Sequence, residues 1–220
     1  AYGVFTLSEA MGVSPLYWWA DVPTKKLSQL YVEEVNYVSQ APSVQYRGIF
    51  INDEGWGITP WAGKTFDKEL GDIGPKTYAK VCELILRMKG NVLAPAMHPS
   101  SGAFNKYPEN KMVADSYGII MSSSHCEPLL FNNVTEWDKK TMGEWNYMTN
   151  KEGINKILDQ RVSGNAPYEN IYTIAMRGIH DAGLVGVPKD KEVSLVEEVI
   201  ADQREILKKH IDAPLDSVPQ

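Results

Sequence analysis

The sequence lacks the features that mark several common classes of protein. No apolar run approaches the length of a transmembrane helix, and no secretory signal peptide opens the chain. No cluster of lysine and arginine offsets the net charge of −6, which argues against nucleic acid as the main partner. No glycine-rich phosphate loop follows an apolar run, which disfavours nucleotides and phosphorylated substrates. We therefore expect no nucleic-acid partner and no membrane partner.

Cysteine is scarce as well. The chain has two cysteines, Cys82 and Cys126, and they do not stand at the spacing of a metal site. Cys82 falls on the apolar face of a predicted helix, so we expect it to be a small buried hydrophobe. What remains is ordinary globular composition, with 43% hydrophobic and 23% charged residues. A chain of 220 residues is long enough to bury a sizeable core.

Short apolar runs alternate with helical patterns along the chain. The sequence predicts strands at 47–52, 91–98, 119–121 and 171–176, and helices at 75–89, 109–117, 151–162 and 192–210. Strands separated by helices indicate right-handed crossovers and a parallel sheet. The mean spacing of roughly 40 residues is typical of a barrel of eight strands and eight helices. The predicted fold class is therefore α/β, with parallel (β/α) units forming about half of a (β/α)8 TIM-type barrel.

Each predicted strand ends in ionisable or hydrogen-bonding side chains. In chain order they are Asn52, Asp53 and Glu54, then His98, then His125 and Glu127, then Arg177, His180 and Asp181. In a barrel these ends converge on one mouth, where they would form a single site. Each residue alone has a simpler explanation, because a loop acid such as Asp53 or Glu54 often caps a helix or a turn. A lone histidine is more often structural than catalytic. Their joint occurrence favours a site.

Carboxylates together with loop aromatics suit a carbohydrate. The loop aromatics are Trp56, Trp61, Tyr107, Trp137 and Trp145. Aromatic rings stack on sugar faces, and two carboxyl groups can act as acid and base across a glycosidic bond. Arg177 would bind a uronic acid carboxylate bidentately, or it would instead pair with Asp53 or Asp181. For the block 17–19 we favour packing over a sugar-stacking wall.

Metal chemistry is the weaker alternative. His125, His180 and an acid would suit zinc. No pair of these residues has the sequence spacing of a preformed metal site. We therefore predict no metal ligands and no cofactor.

Long motifs carry a resemblance to a known family. They are Tyr2-Gly-Val-Phe-Thr-Leu-Ser-Glu9, Val13-Ser-Pro-Leu-Tyr-Trp-Trp-Ala-Asp-Val-Pro23, Tyr46-Arg-Gly-Ile-Phe-Ile-Asn-Asp-Glu54, Leu86-Arg-Met-Lys-Gly-Asn91, Pro95-Ala-Met97, Ser124-His-Cys-Glu-Pro128, Trp145-Asn-Tyr147 and Met176-Arg-Gly178. Together they closely resemble glycoside hydrolase family 115. That family comprises xylan α-1,2-glucuronidases, which remove glucuronic or 4-O-methylglucuronic acid from xylan with inversion.

The resemblance implies a division of the chain and a set of roles. Residues 1–43 would end a preceding α/β domain and form a connector, and residues 44–220 would form the first four βα units of a TIM-barrel catalytic domain. The implied catalytic residues are Asp53, Asp181 and Glu127. The implied substrate-binding residues are Asn52, His98, His125, Arg177, Glu54 and Trp56. Some members of the family carry a Trp at the position of His98. A further acid is implied on a fifth strand, after a Pro-Gln dipeptide such as the Pro219-Gln220 that ends this sequence.

The expected function is that of an inverting α-1,2-glucuronidase acting on glucuronoxylan or aldouronic acid oligosaccharides. The resemblance also implies an extracellular or periplasmic location and a homodimer of the full-length enzyme. The rival is a truncated, non-catalytic half-barrel that at most binds xylan or uronic acids. A half-barrel would leave two sheet edges uncovered, which favours association.

Overall fold

In the computed structural model, which describes residues 1–220, the chain is mixed α/β. The helices are α1 (Tyr2–Ala10), α2 (Ile58–Ala62), α3 (Pro75–Arg87), α4 (Glu109–Ser116), α5 (Lys139–Met142), α6 (Tyr147–Asn165) and α7 (Glu192–His210), and the strands are β1 (Gly48–Phe50), β2 (Val92–Ala94) and β3 (Ile120–Met121). The strands form one parallel sheet in the order β1-β2-β3. The predicted parallel, sequential pairing is confirmed for these strands. No helix combines the length and apolar character needed to cross a membrane.

Strand β1 is less buried than the sequence predicts. The unbroken apolar run 49–51 predicts a strand buried on both faces. Ile51 is buried, but Ile49 and Phe50 are 37% and 45% exposed, so that prediction is wrong for these two residues. The reason is that β1 is an edge strand, paired only with β2. Gly48 is required on the paired side, because a Cβ there would lie 1.9 Å from the carbonyl oxygen of Val92.

The predicted fourth strand, 171–176, is reduced to a single parallel bridge between Met121 and Asn170. The backbone after the bridge finds other partners. The amide of Tyr172 donates to the carbonyl of Pro219 at 2.8 Å, and the carbonyl of Thr173 accepts the Leu129 amide at 2.9 Å. The segment is therefore held by the loop after β3 and by the C-terminal residues rather than by a ladder.

Helix α3 follows the predicted periodicity. It begins at Pro75. Five apolar residues stand in the sequence at the i, i+3, i+4, i+7 and i+8 spacing of one helix face, and all five are buried: Tyr78, Val81, Cys82, Ile85 and Leu86. These side chains pack in one cluster with the sheet residues Ile51, Leu93 and Met121. Burial of a leucine-sized side chain contributes about 1.5–3 kcal/mol, so packing against this face stabilises the sheet. The expectation that Cys82 is buried is confirmed.

The later helices form a second cluster. Helix α7 has the predicted bounds, whereas α6 begins at Tyr147, earlier than the predicted 151. Ser194 and Asp190 are residue types that often cap a helix, and the sequence predicts that one of them caps α7. This prediction is wrong, because the residue that flanks the helix is Lys191 and no side chain caps it. The buried residues of α6 and α7 pack with Leu129, Phe131 and Met176.

The N-terminal residues dock on α2 and α3. The Trp18 ring stacks on Trp61 with centroids 5.7 Å apart, and Arg87 lies 4.6 Å from the Phe5 ring centroid. This stack agrees with the favoured prediction that the aromatic block 17–19 serves packing. Residues 21–46 have no helix or strand and are exposed throughout.

A buried carboxylate fixes the start of α3. The amides of Gly74, Lys76 and Thr77 donate to Asp67 at 2.8–3.2 Å, and the Thr77 hydroxyl also donates to it. Asp67 is 1% exposed. Its oxygens therefore satisfy amides that a helix leaves free at its first turn.

We expect Asp67→Ala to lower the free energy of unfolding by about 2–3 kcal/mol, because buried amides would lose their acceptor. Urea denaturation followed by circular dichroism measures this. Glu69→Ala is the matched control, since the Glu69 side chain is 72% exposed and pairs only with Lys76. Equal unfolding midpoints for the two variants would contradict the assignment.

Candidate functional site

An exposed cluster of polar and charged side chains joins the loop after β3 to residues 177–181. His125 Nε2 lies 2.9 Å from Asp181 Oδ1. Arg177 forms an ion pair with the same carboxylate, and its Nη2 donates to the Asp181 carbonyl at 3.0 Å. The hydrogen bond from His125 and the charge of Arg177 hold the pKa of Asp181 below its usual range. Of the two ion pairs that the sequence offered Arg177, the pair with Asp181 is the one formed.

A second contact brings in the loop after β2. The rings of His98 and His180 meet edge to face with centroids 5.9 Å apart. His98 Nδ1 also lies 2.8 Å from the Ser100 hydroxyl. His180 has a left-handed backbone, with φ of 56°, which is uncommon for a residue other than glycine. The loops after β2 and β3 and the segment 177–181 therefore share one surface.

The residues after β1 behave differently from this cluster. Asp53 is 5% exposed, and the amides of Ile58 and Thr59 each donate to it at 3.0 Å. Asp53 therefore caps α2, which is the simpler role that the sequence left open. Asn52, Glu54 and Trp56 are exposed, Trp56 at 83%. None of these side chains forms a hydrogen bond or ion pair with His125, Arg177 or Asp181.

Glu127 lies beneath the loop that carries His125. It is 4% exposed, and its Oε2 accepts the amide of Ser124 at 3.0 Å. Burial raises the pKa of Glu127 to about 7, with nearby Glu136 adding to the rise and Arg161 opposing it. A carboxyl group in this position holds the loop rather than facing solvent.

Two strained residues follow Glu127. Leu129 and Leu130 have left-handed backbones, with φ of 49° and 65°, and both are buried. Such conformations cost on the order of 1 kcal/mol each and persist only where the surroundings impose them. The loop from 122 to 131 is therefore held in a defined shape by the hydrogen bond from Ser124 to Glu127 and by the buried surroundings of Leu129 and Leu130.

Two adjacent asparagines, which the sequence reading did not single out, tie the loops together. Asn133 Nδ2 donates to the Gly178 carbonyl, and its Oδ1 accepts the His180 amide, both at 3.1 Å. Asn132 Nδ2 donates to the Met97 carbonyl at 3.2 Å. Both asparagines are 1% exposed. The pair connects its own loop to Met97 on one side and to Gly178 and His180 on the other. In the sequence, the only sign of this role is that two side-chain amides follow an apolar run.

One further residue joins the cluster as a potential metal ligand. A ligand atom from each of His125, Cys126 and Asp181 lies within 4.8 Å of the other two. The sequence suggested His180 rather than Cys126 for such a set. Cys126 is buried, and this burial raises the pKa of its thiol.

The raised pKa of Glu127 predicts a pH-dependent stability. Between its ordinary value of 4.5 and about 7, unfolded Glu127 loses its proton while folded Glu127 keeps it. Stability from this group is therefore fully present below 4.5 and is lost as pH rises through 7. We expect Glu127→Gln, which keeps an acceptor for Ser124, to be more stable than wild type by about 2–3 kcal/mol at high pH.

Urea denaturation in buffers on either side of this interval measures the difference between the variant and wild type. Glu54→Gln is the control, because its side chain is exposed. A stability difference for Glu127→Gln that does not change with pH would show that the carboxyl group is not held neutral.

We expect Asn133→Ala to lower the free energy of unfolding by about 2–3 kcal/mol, because the buried Gly178 carbonyl and the partly buried His180 amide lose their partners. Asn133→Asp retains the acceptor for His180 but donates to Gly178 only when protonated. Its destabilisation should therefore be smaller in acid than in base, and the His180 amide should exchange with deuterium faster in Asn133→Ala. Asn36→Ala, in the exposed segment 21–46, is the control. Equal costs for Asn133→Asp at both pH values would exclude this tether.

Comparison with known proteins gives the family. The family model for glycosyl hydrolase family 115 matches residues 39–220. No curated protein matches the chain. One solved structure, of a family GH115 4-O-methyl-α-glucuronidase with specificity for decorated arabinogalactans, is 38% identical with a TM-score of 0.90. The match covers all of this chain and 29% of that one, so the chain spans under a third of the relative's length. The chain belongs to glycosyl hydrolase family 115.

Proposed function

We propose that this chain forms part of an α-glucuronidase that removes glucuronic or 4-O-methylglucuronic acid from a plant polysaccharide. The observation that carries the proposal is the exposed cluster of His125, Arg177 and Asp181. Family membership and the activity named for the solved relative support it. We further propose an α-1,2 linkage and inversion at the anomeric carbon.

The cluster offers the groups that this chemistry needs. The Arg177 guanidinium suits bidentate binding of a uronic acid carboxylate, and His125 offers a ring N–H beside it. Asp181 stays ionised because its neighbours lower its pKa, as a water-activating base requires. A uronate that takes over Arg177 would release Asp181 for this role.

The other two predicted carboxylates are weaker candidates. The oxygens of Asp53 are engaged by α2, and Glu127 is buried under its own loop. An inverting enzyme needs a second carboxyl group roughly 6.5–9.5 Å from the first. Because the chain spans 29% of the solved relative, we propose that the proton-donating acid lies in the longer protein, outside residues 1–220.

We also propose that residues 44–220 are the first four units of a TIM-type barrel, and that residues 1–43 end a preceding domain and form a connector. The sequential parallel order of β1, β2 and β3 supports the barrel, and so does the bridge at Asn170. The free edge of β1 is where the last strand of a closed barrel would pair. The exposed, irregular segment 21–46 fits a connector.

Two polysaccharides fit this proposed function. The resemblance to family 115 implies glucuronoxylan as the substrate, whereas the solved relative is specific for decorated arabinogalactans. Exposed Trp56 offers a stacking surface for a sugar in either case.

An extracellular or periplasmic location and a homodimer are proposed with this function. A region that binds uronic acids without hydrolysing them is the second candidate, because Asp53 and Glu127 accept backbone amides and leave Asp181 as the one carboxylate of the cluster.

The test uses the longer protein that carries this chain. It should release 4-O-methylglucuronate from glucuronoxylan or decorated arabinogalactan, and proton NMR of the first product formed should show the inverted anomer. We expect Asp181→Asn to lower kcat by about 100-fold or more. Arg177→Lys keeps the charge but loses the bidentate fork, so KM should rise by about tenfold.

Asp115→Asn on α4 is the matched control, because Asp115 is exposed and its side chain has no hydrogen-bond partner. Asp53→Asn keeps an acceptor for α2, so unchanged activity in that variant would remove Asp53 from the mechanism. Wild-type kcat in Asp181→Asn would exclude Asp181 as the base. Heat of binding with aldouronic acids, without any uronate release, would favour the binding-only region.

A further inference from the structure

The ligand atoms of His125, Cys126 and Asp181 form a set with its own chemistry. The set offers one nitrogen, one sulfur and one oxygen atom within 4.8 Å of one another. Imidazole, thiolate and carboxylate together favour zinc and cadmium over the hard cations magnesium and calcium. In a tetrahedral zinc site with bonds of 2.0–2.3 Å, neighbouring ligands lie about 3.5 Å apart. Small rotations of these side chains would bring them to that spacing.

We propose that His125, Cys126 and Asp181 bind a soft divalent metal ion, zinc or cadmium, and that the bound ion blocks the candidate site. The thiol approaches from the buried side, while the His125 and Asp181 side chains are 62% and 57% exposed, so an ion has an open path from solvent. A water molecule from solvent would supply the fourth ligand.

Binding exchanges a proton for the metal. The S–H bond of Cys126 breaks, a metal–sulfur bond forms, and the proton leaves to solvent, with no change of oxidation state.

Arg177 competes with the ion. Its guanidinium pairs with the Asp181 carboxylate and would repel a divalent cation at that position. The geometry therefore predicts that removal of the Arg177 charge strengthens metal binding. A metal site unrelated to Asp181 would not respond in this way.

The inhibitory part of the inference rests on the proposed function, but metal binding itself does not. The proposed base, Asp181, and its neighbour His125 are both ligands, so an occupied site cannot bind a uronate. Cadmium titration of the longer protein, without substrate, tests metal binding separately from inhibition. The readout is the ultraviolet charge-transfer band from thiolate to cadmium.

We expect one band that is lost in Cys126→Ser and kept in Cys82→Ser, since Cys82 lies on α3 in the core. Difference spectra against wild type cancel any other cysteine. His125→Ala, a change at an exposed side chain, should weaken binding by about tenfold or more, and Arg177→Met should tighten it.

A band that persists in Cys126→Ser, or an affinity unchanged in both His125→Ala and Arg177→Met, would overturn the site. If the band depends on Cys126 but the protein releases no uronate, the metal site stands and the proposed function fails. If uronate is released and zinc does not inhibit at concentrations that saturate the band, the claim of blockage is wrong.

Discussion

The shape of this chain depends on buried side-chain oxygen atoms that accept backbone amides outside regular structure. The strands are two or three residues long, so the ladder satisfies few backbone groups. A buried amide without a partner costs about 1–3 kcal/mol, and such a cost cannot be repeated along several loops. Four side chains avoid this cost by accepting backbone amides, each at a different loop: Asp53, Asp67, Glu127 and Asn133. These acceptors hold the strand ends in place where the sheet itself does not.

This constraint explains why the predicted carboxylates separate into two kinds. Asp53 and Glu127 are buried and accept amides, whereas Asp181 is exposed and meets a histidine and an arginine. In sequence all three are acids that follow apolar runs, and nothing in that pattern tells an amide acceptor from a group that faces solvent. The distinction lies in contacts between residues far apart in the chain, such as His125 with Asp181.

The parts of the fold that the sequence predicts are those that depend on a pattern within one segment. Helices α3 and α7 were predictable, because their apolar faces repeat at helical spacing within one segment. The exposure of Phe50 was not, since it depends on whether another strand pairs with β1. The segment after Asn170 reads as a strand by composition, but its backbone partners come from two other parts of the chain. For the site, the meeting of the loops after β2 and β3 with the segment 177–181 was predictable from the parallel order. The separation of Asp53 from this cluster and the Asn132–Asn133 tether were not.

The exposed cluster shows what such a scaffold permits. Asp181 and Arg177 are held by their loop rather than by burial, so their mutual pairing is screened by solvent and contributes little to stability. Groups paired in this way can exchange partners at small cost. A uronate would take Arg177 and leave Asp181 free, whereas a soft metal would take Asp181 and leave Arg177 free. Both ligands therefore compete for the same two charges, and the buried amide acceptors beneath keep those charges in position whichever partner is bound.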